Sequence, residues 1–210
     1  MNNSAREQRQ ADLAIYYDNE VRDRATRDLS APRVARRTAY LAQLKREGVD
    51  SVLEIGSGPG RDGEAFAAAG LAYTGVDLAP ESVNVCRSLG IDARVASALD
   101  LPFDDETFEA GWTMSTLLHV ADEDLDSALA EIVRVLRPGA PLAIGLWGDQ
   151  IGGERLWQDG TSFGPPRFFS IRTDDVVRDT LQRHGTVEQW LTWDDGGSMH
   201  YQWAVLRTPA

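Results

Sequence analysis

The chain has 210 residues, 42% of them hydrophobic and 26% charged, enough for one domain with a full core. A formal net charge of −12 speaks against a nucleic-acid or anionic-membrane surface, which needs clustered cations. One cysteine, Cys86, excludes an internal disulfide, and three scattered histidines offer no paired spacing for a metal. In chain order, residues 1–10 are polar and expected to fray, and a helical stretch follows through Tyr16-Tyr17. Ser30-Ala31-Pro32 opens a second helix, cap then proline, with Val34, Thr38, Leu41 and Leu44 on one face until Gly48. Val52, Leu53 and Ile55 give the short apolar run of a strand covered on both faces. A helix over 63–69, a strand over 73–78 and a helix after Pro80 come next. Leu125, Ala128, Leu129, Ile132 and Leu136 form a helical stripe that Pro138-Gly139 ends. A buried strand over 141–147 follows, then a helix capped by Thr173 and closed at Gly185. Strands over 187–193 and 199–207 flank Asp194-Asp195-Gly196-Gly197-Ser198, which reads as a hairpin turn.

The most informative segment is Val52-Leu53-Glu54-Ile55-Gly56-Ser57-Gly58-Pro59-Gly60. Its glycines remove every Cβ where the backbone turns tightly and meets a ligand, and the following helix presents unpaired N–H groups there. That is a nucleotide-type cradle. Gly58 to Gly63 also satisfies the G-x-G-x-x-G expression of dinucleotide binding, with Asp77 at a suitable distance, so a NAD(P)-dependent oxidoreductase is one reading. Other features point elsewhere. Glu54 precedes the first glycine by two, Asp77 ends a second strand, and Asp100-Leu101-Pro102-Phe103-Asp104-Asp105-Glu106-Thr107-Phe108 and Val135-Leu136-Arg137-Pro138-Gly139 follow.

As an ordered set over residues 51–146, these blocks resemble the class I S-adenosylmethionine-dependent methyltransferases, in the small-molecule branch called the methyltransferase-11 type. The resemblance implies a Rossmann-like, doubly wound α/β sheet of seven strands, parallel except for the last, with helices on both faces. It implies that Gly56, Ser57, Gly58 and Gly60 wrap the methionine part of S-adenosylmethionine, with Glu54 holding the turn or a water beside the ammonium. Asp77 would accept both ribose hydroxyls, and Leu78 would pack on the adenine. In Val95-Ala96-Ser97-Ala98, Ser97 stands where the family has an acid for the adenine amino group, a departure that predicts a weaker, neutral contact. Met114 and Ser115 fall where the family lines the reaction centre.

Each assignment has a structural competitor. The glycine turn could be a tight connection and no more, Asp77 a solvated loop acid, and residues 100–106 a solvated loop above Leu101 and Phe103. His119 is the first candidate for a general base, with Tyr16 or Tyr17 as alternatives, although a hydrogen-bonded structural histidine is an equal reading. His184, before Gly185, suits the end of a helix. One domain over 1–210 is expected, with 1–48 as a helical lid and 147–170 as a substrate loop carrying Trp157, Phe163, Phe168, Phe169, Arg155 and Arg167. A small-molecule acceptor is expected; neither the acceptor atom nor the oligomeric state is fixed by sequence. A non-catalytic S-adenosylmethionine-binding protein is the third reading. The polar start, the absence of a membrane-length apolar run and the single thiol set a cytoplasmic expectation.

Overall fold

A computed structural model describes residues 3–158, 160, 163–194 and 197–210. In chain order its elements are α1 (Asn3–Thr26), α2 (Ala31–Glu47), β1 (Ser51–Ile55), α3 (Arg61–Ala68), β2 (Ala72–Asp77), α4 (Pro80–Ser88), β3 (Asp92–Val95) and β4 (Gly111–Met114). A 3-10 turn (Leu117–His119) leads to α5 (Asp122–Val135), β5 (Pro141–Gly148), β6 (Gly153–Trp157), β7 (Arg167–Ile171), α6 (Asp174–His184), β8 (Thr186–Asp194) and β9 (His200–Arg207). Seven strands form one sheet in the order β3-β2-β1-β4-β5-β9-β8. Only β9 runs against the rest, slotted between β5 and β8. This is the doubly wound Rossmann-like arrangement that the sequence implies.

Apolar residues on both faces explain why the central strands are continuous hydrophobic runs. On one face α5 lays Leu125, Leu129 and Ile132 against Leu53 and Ile144, with Leu181 of α6 beside them. On the other, Leu44 of α2, Phe66 of α3 and Cys86 of α4 pack around Trp112 of β4. Tyr40, Phe66 and Trp203 each hold a ring centroid 5.3–5.5 Å from that of Trp112. Contacts of this kind contribute about 0.5–1.5 kcal/mol per pair beyond burial itself.

Three segments differ from expectation. The amino-terminal helix starts at Asn3 instead of fraying to residue 10, because Arg6 and Arg9 pair with the buried Asp124 of α5. The buried face of α2 is Tyr40, Gln43 and Leu44, while Val34 and Thr38 are exposed. Only the second half of α2 lies on the sheet; its first half carries Arg33 and Arg37 to Asp62 beside the glycine turn. Within 147–170, read as a loop, β6 and β7 pair as a separate antiparallel hairpin. In the turn between β8 and β9, Asp195 and Gly196 lie outside the described residues.

Candidate active site

The turn after β1 is tied to β2 by its backbone. The N–H groups of Gly56 and Ser57 both donate to Val76 O, at 2.8 and 3.0 Å. Gly56 has φ +78°, and a Cβ there would collide with the side chain of Thr116, whose hydroxyl donates to Ile55 O. Gly60, at φ +80°, starts α3, and a Cβ there would strike Ile91. Asp77, half-buried at the end of β2, closes the arrangement. It accepts from Gly58 N at 2.8 Å with one oxygen and from Ala79 N at 2.9 Å with the other. Each oxygen keeps a lone-pair site for a further donor. Desolvation nonetheless raises the Asp77 pKa, against the lowering effect of those two bonds.

A cleft of about 950 Å³, counted to its open mouth, runs over the carboxyl ends of β1 to β4 and beneath α1. That is the position at which open α/β sheets take ligands. Of the predicted residues, Gly56, Gly58, Asp77, Leu78, Ser97, Ala98, Met114, Tyr17 and His119 line it. Ser57 lines a neighbouring cavity instead, and Gly60 lines neither. The Ser97 hydroxyl accepts from Gln10 Nε2 at 2.9 Å and from Leu99 N at 3.1 Å. Both of its acceptor positions are therefore taken, and only its proton is free to meet a ligand.

Glu54 lies beneath the turn, 1% exposed, and accepts from Tyr73 OH at 2.7 Å. Burial and then the charge of Asp62 hold its pKa well above the usual carboxylate range. The sign follows directly. The folded state binds this proton more tightly, so stability is lost as pH rises from the unfolded value toward the raised one. Glu54→Gln is expected to gain on wild type in denaturation midpoint as pH rises above about 4.3. A difference that does not change with pH would remove the protonated carboxyl.

His119 and Tyr17 meet 102 positions apart in sequence. Nδ1 of His119 stands 2.7 Å from Phe168 O, which only accepts, so Nδ1 carries the proton. Nε2, 2.6 Å from Tyr17 OH, therefore accepts from the phenol. Burial pushes the His119 pKa down to about 4 and the Tyr17 pKa up. The imidazole is neutral at pH 7 and a weak base.

Two buried clusters were not foreseen. Asp62 accepts from Arg33 Nε and Nη2 at 2.9 and 2.6 Å, Arg37 Nη1 at 2.7 Å and Trp112 Nε1 at 3.0 Å. Arg172, 3% exposed, donates to Asp122 and to the carbonyls of Leu117 and Val120, which fixes the turn bearing His119. No sequence signal pointed to either, because the partners lie 25–55 positions away along the chain. Among the described residues no three histidine, cysteine or acidic side chains converge as metal ligands. Among them, too, no helix is long and apolar enough to cross a membrane.

A glycine turn after β1 and an acid ending β2, on this sheet order, define a Rossmann-like domain of the type that binds nucleotide cofactors. Residues 53–144 match the methyltransferase domain of the methyltransferase-11 family. It is 28% identical over 141 residues to the O-methyltransferase resE of Aspergillus sclerotiorum, covering 63% of this chain and 52% of that protein. It is 32% identical over 139 residues to the 27-O-demethylrifamycin SV methyltransferase of Amycolatopsis mediterranei, covering 62% and 48%. The chain thus spans about half the length of these curated relatives. Among solved structures it is similar to the Burkholderia thailandensis 1,6-didemethyltoxoflavin-N1-methyltransferase, crystallised with 1,6-didemethyltoxoflavin and S-adenosylhomocysteine. That likeness has TM-score 0.74 and 23% identity over 99% of this chain and 90% of that one, and it speaks for the fold.

Proposed function

We propose that the chain is an S-adenosylmethionine-dependent methyltransferase with a small-molecule acceptor. The observation that carries the reading is Asp77, held by Gly58 N and Ala79 N at the end of β2 with acceptor positions to spare over the cleft. The residues fit the cofactor. Asp77 would take the ribose hydroxyls, Leu78 and Ala98 the adenine, and the backbone at Gly56 and Gly58 the methionine end, with Met114 at the reaction centre. When bound, S-adenosylmethionine supplies a sulfonium methyl group, which forms a bond to the acceptor as the carbon–sulfur bond breaks and S-adenosylhomocysteine leaves. The protein's task is alignment and exclusion of water, and alignment supplies about 7–11 kcal/mol of barrier reduction in the best cases.

Tyr17 and His119 suit orientation better than proton abstraction, because a buried imidazole at about 4 holds a proton poorly at pH 7. The Tyr17 O–H donates to His119, which leaves its oxygen able to accept a hydrogen bond from a ligand in the cleft. Tyr17→Phe is expected to lower kcat about tenfold, one hydrogen bond's worth, with an unaltered pH profile. A fall of about 10²–10⁴-fold with a changed profile would assign general-base catalysis instead.

Calorimetric titration with S-adenosylmethionine and S-adenosylhomocysteine tests the cofactor assignment; binding of NAD(H) with neither of these would reverse it. The nicotinamide and non-catalytic readings are not favoured, since the matched relatives are methyltransferases. One relative, of Arabidopsis thaliana, is a tRNA methyltransferase, 29% identical over 128 residues. Our reading of this chain excludes nucleic acid on the net charge of −12, and a gel-shift assay with bulk tRNA tests it. We place the protein in the cytoplasm, on the unpaired buried thiol of Cys86; cell fractionation tests that location.

A further inference from the structure

We propose that a second cavity, on the far side of the glycine turn, is the acceptor chamber and takes a flat, anionic ring compound. This rests on the methyltransferase reading above. The cavity encloses about 1420 Å³ to its mouth, between the α1–α2 connection, the glycine turn and the ends of β5, β8 and β9. It shares Gly56, Gly58, Met114 and Ser115 with the cleft that holds Asp77, so occupants of the two meet at that wall. Ser115 is held there at φ +56°, a conformation that costs a non-glycine residue about 1–3 kcal/mol. Its N–H donates to Gly145 O at 2.7 Å, and its hydroxyl lies 3.1 Å from Tyr201 OH. Strain kept at the junction of two cavities, with a hydroxyl pair beside it, marks a place built to meet a ligand.

The chamber's walls set the ligand's shape. Trp193 and Tyr201 stack with centroids 4.9 Å apart at 30°, and Trp147 stands edge-on to Tyr201 at 5.1 Å and 88°. Trp147 and Trp193 are half-buried and line the cavity, so they offer ring surface on which a planar molecule can pack. The charges set its sign. Arg24 and Arg27 share Glu20, and Arg33 and Arg37 share Asp62. Arg61 donates to the carbonyls of Ala25 and Arg27 and has no carboxylate partner among the described residues. Four of these guanidinium groups, those of Arg24, Arg27, Arg33 and Arg61, line the cavity, and Asp62 is the enclosed carboxylate among its lining residues. Asp28 and Asp194 also line the cavity, exposed at its rim as Arg27 is, where water screens all three. This local excess of cations runs against a chain whose net charge is −12. The bound cofactor's sulfonium adds one more positive charge. An acceptor that arrives ionised is drawn to this wall and needs no base, which agrees with the weak base at His119.

The test uses 2-naphthoate and its neutral amide as probes, titrated by calorimetry into protein saturated with S-adenosylhomocysteine. We expect one-to-one binding of the carboxylate and about tenfold weaker binding of the amide. Trp193→Leu should weaken naphthoate binding about tenfold, with affinity for S-adenosylhomocysteine within about twofold of wild type. Intact cofactor-product affinity certifies that the variant is folded. No naphthoate binding, equal binding of the amide, or an unchanged Trp193→Leu variant overturns the chamber and leaves the methyltransferase reading in place. Failure of wild type to bind S-adenosylhomocysteine overturns both.

Discussion

Asp62→Ala is expected to cost about 3–5 kcal/mol of folding stability, the range for removing one partner of a buried charge cluster. Asp62 is 1% exposed and is the common acceptor for Arg33, Arg37 and the Trp112 indole. Alanine would leave two guanidinium groups and a core N–H without that acceptor, and the desolvation penalty of each falls on the folded state. Native domains carry about 5–15 kcal/mol in total, so roughly a fifth or more of the stability is at stake. The cluster also joins α2 to the start of α3 and to β4, so its loss loosens the segment over the glycine turn. Asp62→Asn keeps one acceptor oxygen and should fall between the two. Urea denaturation followed by tryptophan fluorescence measures the series. An unshifted midpoint for the alanine variant would show that the cluster contributes no net stability.

Asp77→Ala should weaken binding of S-adenosylmethionine by at least about tenfold, since its ribose hydroxyls lose a charged acceptor. Gly58 N and Ala79 N would lose their acceptor too, so Asp77→Asn separates charge from turn geometry. The pH dependence has a definite sign. Desolvation raises the Asp77 pKa, and the ionised form is the acceptor. Affinity should therefore decline on the acid side from a pH above the ordinary aspartate value of about 3.9. Titration calorimetry across that side checks both statements. Wild-type affinity in the alanine variant would take Asp77 out of the site.

Sequence reading succeeded where the determinants are local. Ser30 caps α2 through Arg33 N, Gly48 ends it in the left-handed conformation, and Thr173 caps α6 through Val176 N. The glycine turn and Asp77 were legible for the same reason, a strand ending where backbone freedom and an acid are needed. It failed where the partner is far along the chain. Asp62 meets residues 25, 29 and 50 positions away, and nothing near it in sequence announces them. The first turns of α1 look like frayed polar chain because their partner, Asp124, lies more than a hundred residues on. The β6–β7 hairpin is separated by a connection too long for a turn signal. The wall of Trp147, Trp193 and Tyr201 escaped notice because it joins three strand ends that only the sheet order brings together.

The place of β9 bears on how the protein is made. On the ribosome, β5 is complete some fifty residues before its neighbour β9 is synthesised, and β8 has no pairing until β9 arrives. The outer edge of β5 stays open through that interval, the state in which nascent chains associate wrongly. Pairing across such a separation is slow to form. The strand that ends the wait also carries Tyr201, so sheet closure and completion of the aromatic wall are one event. A nascent chain stalled before β9 would have its glycine turn and Asp77 already made, but no finished chamber beside them.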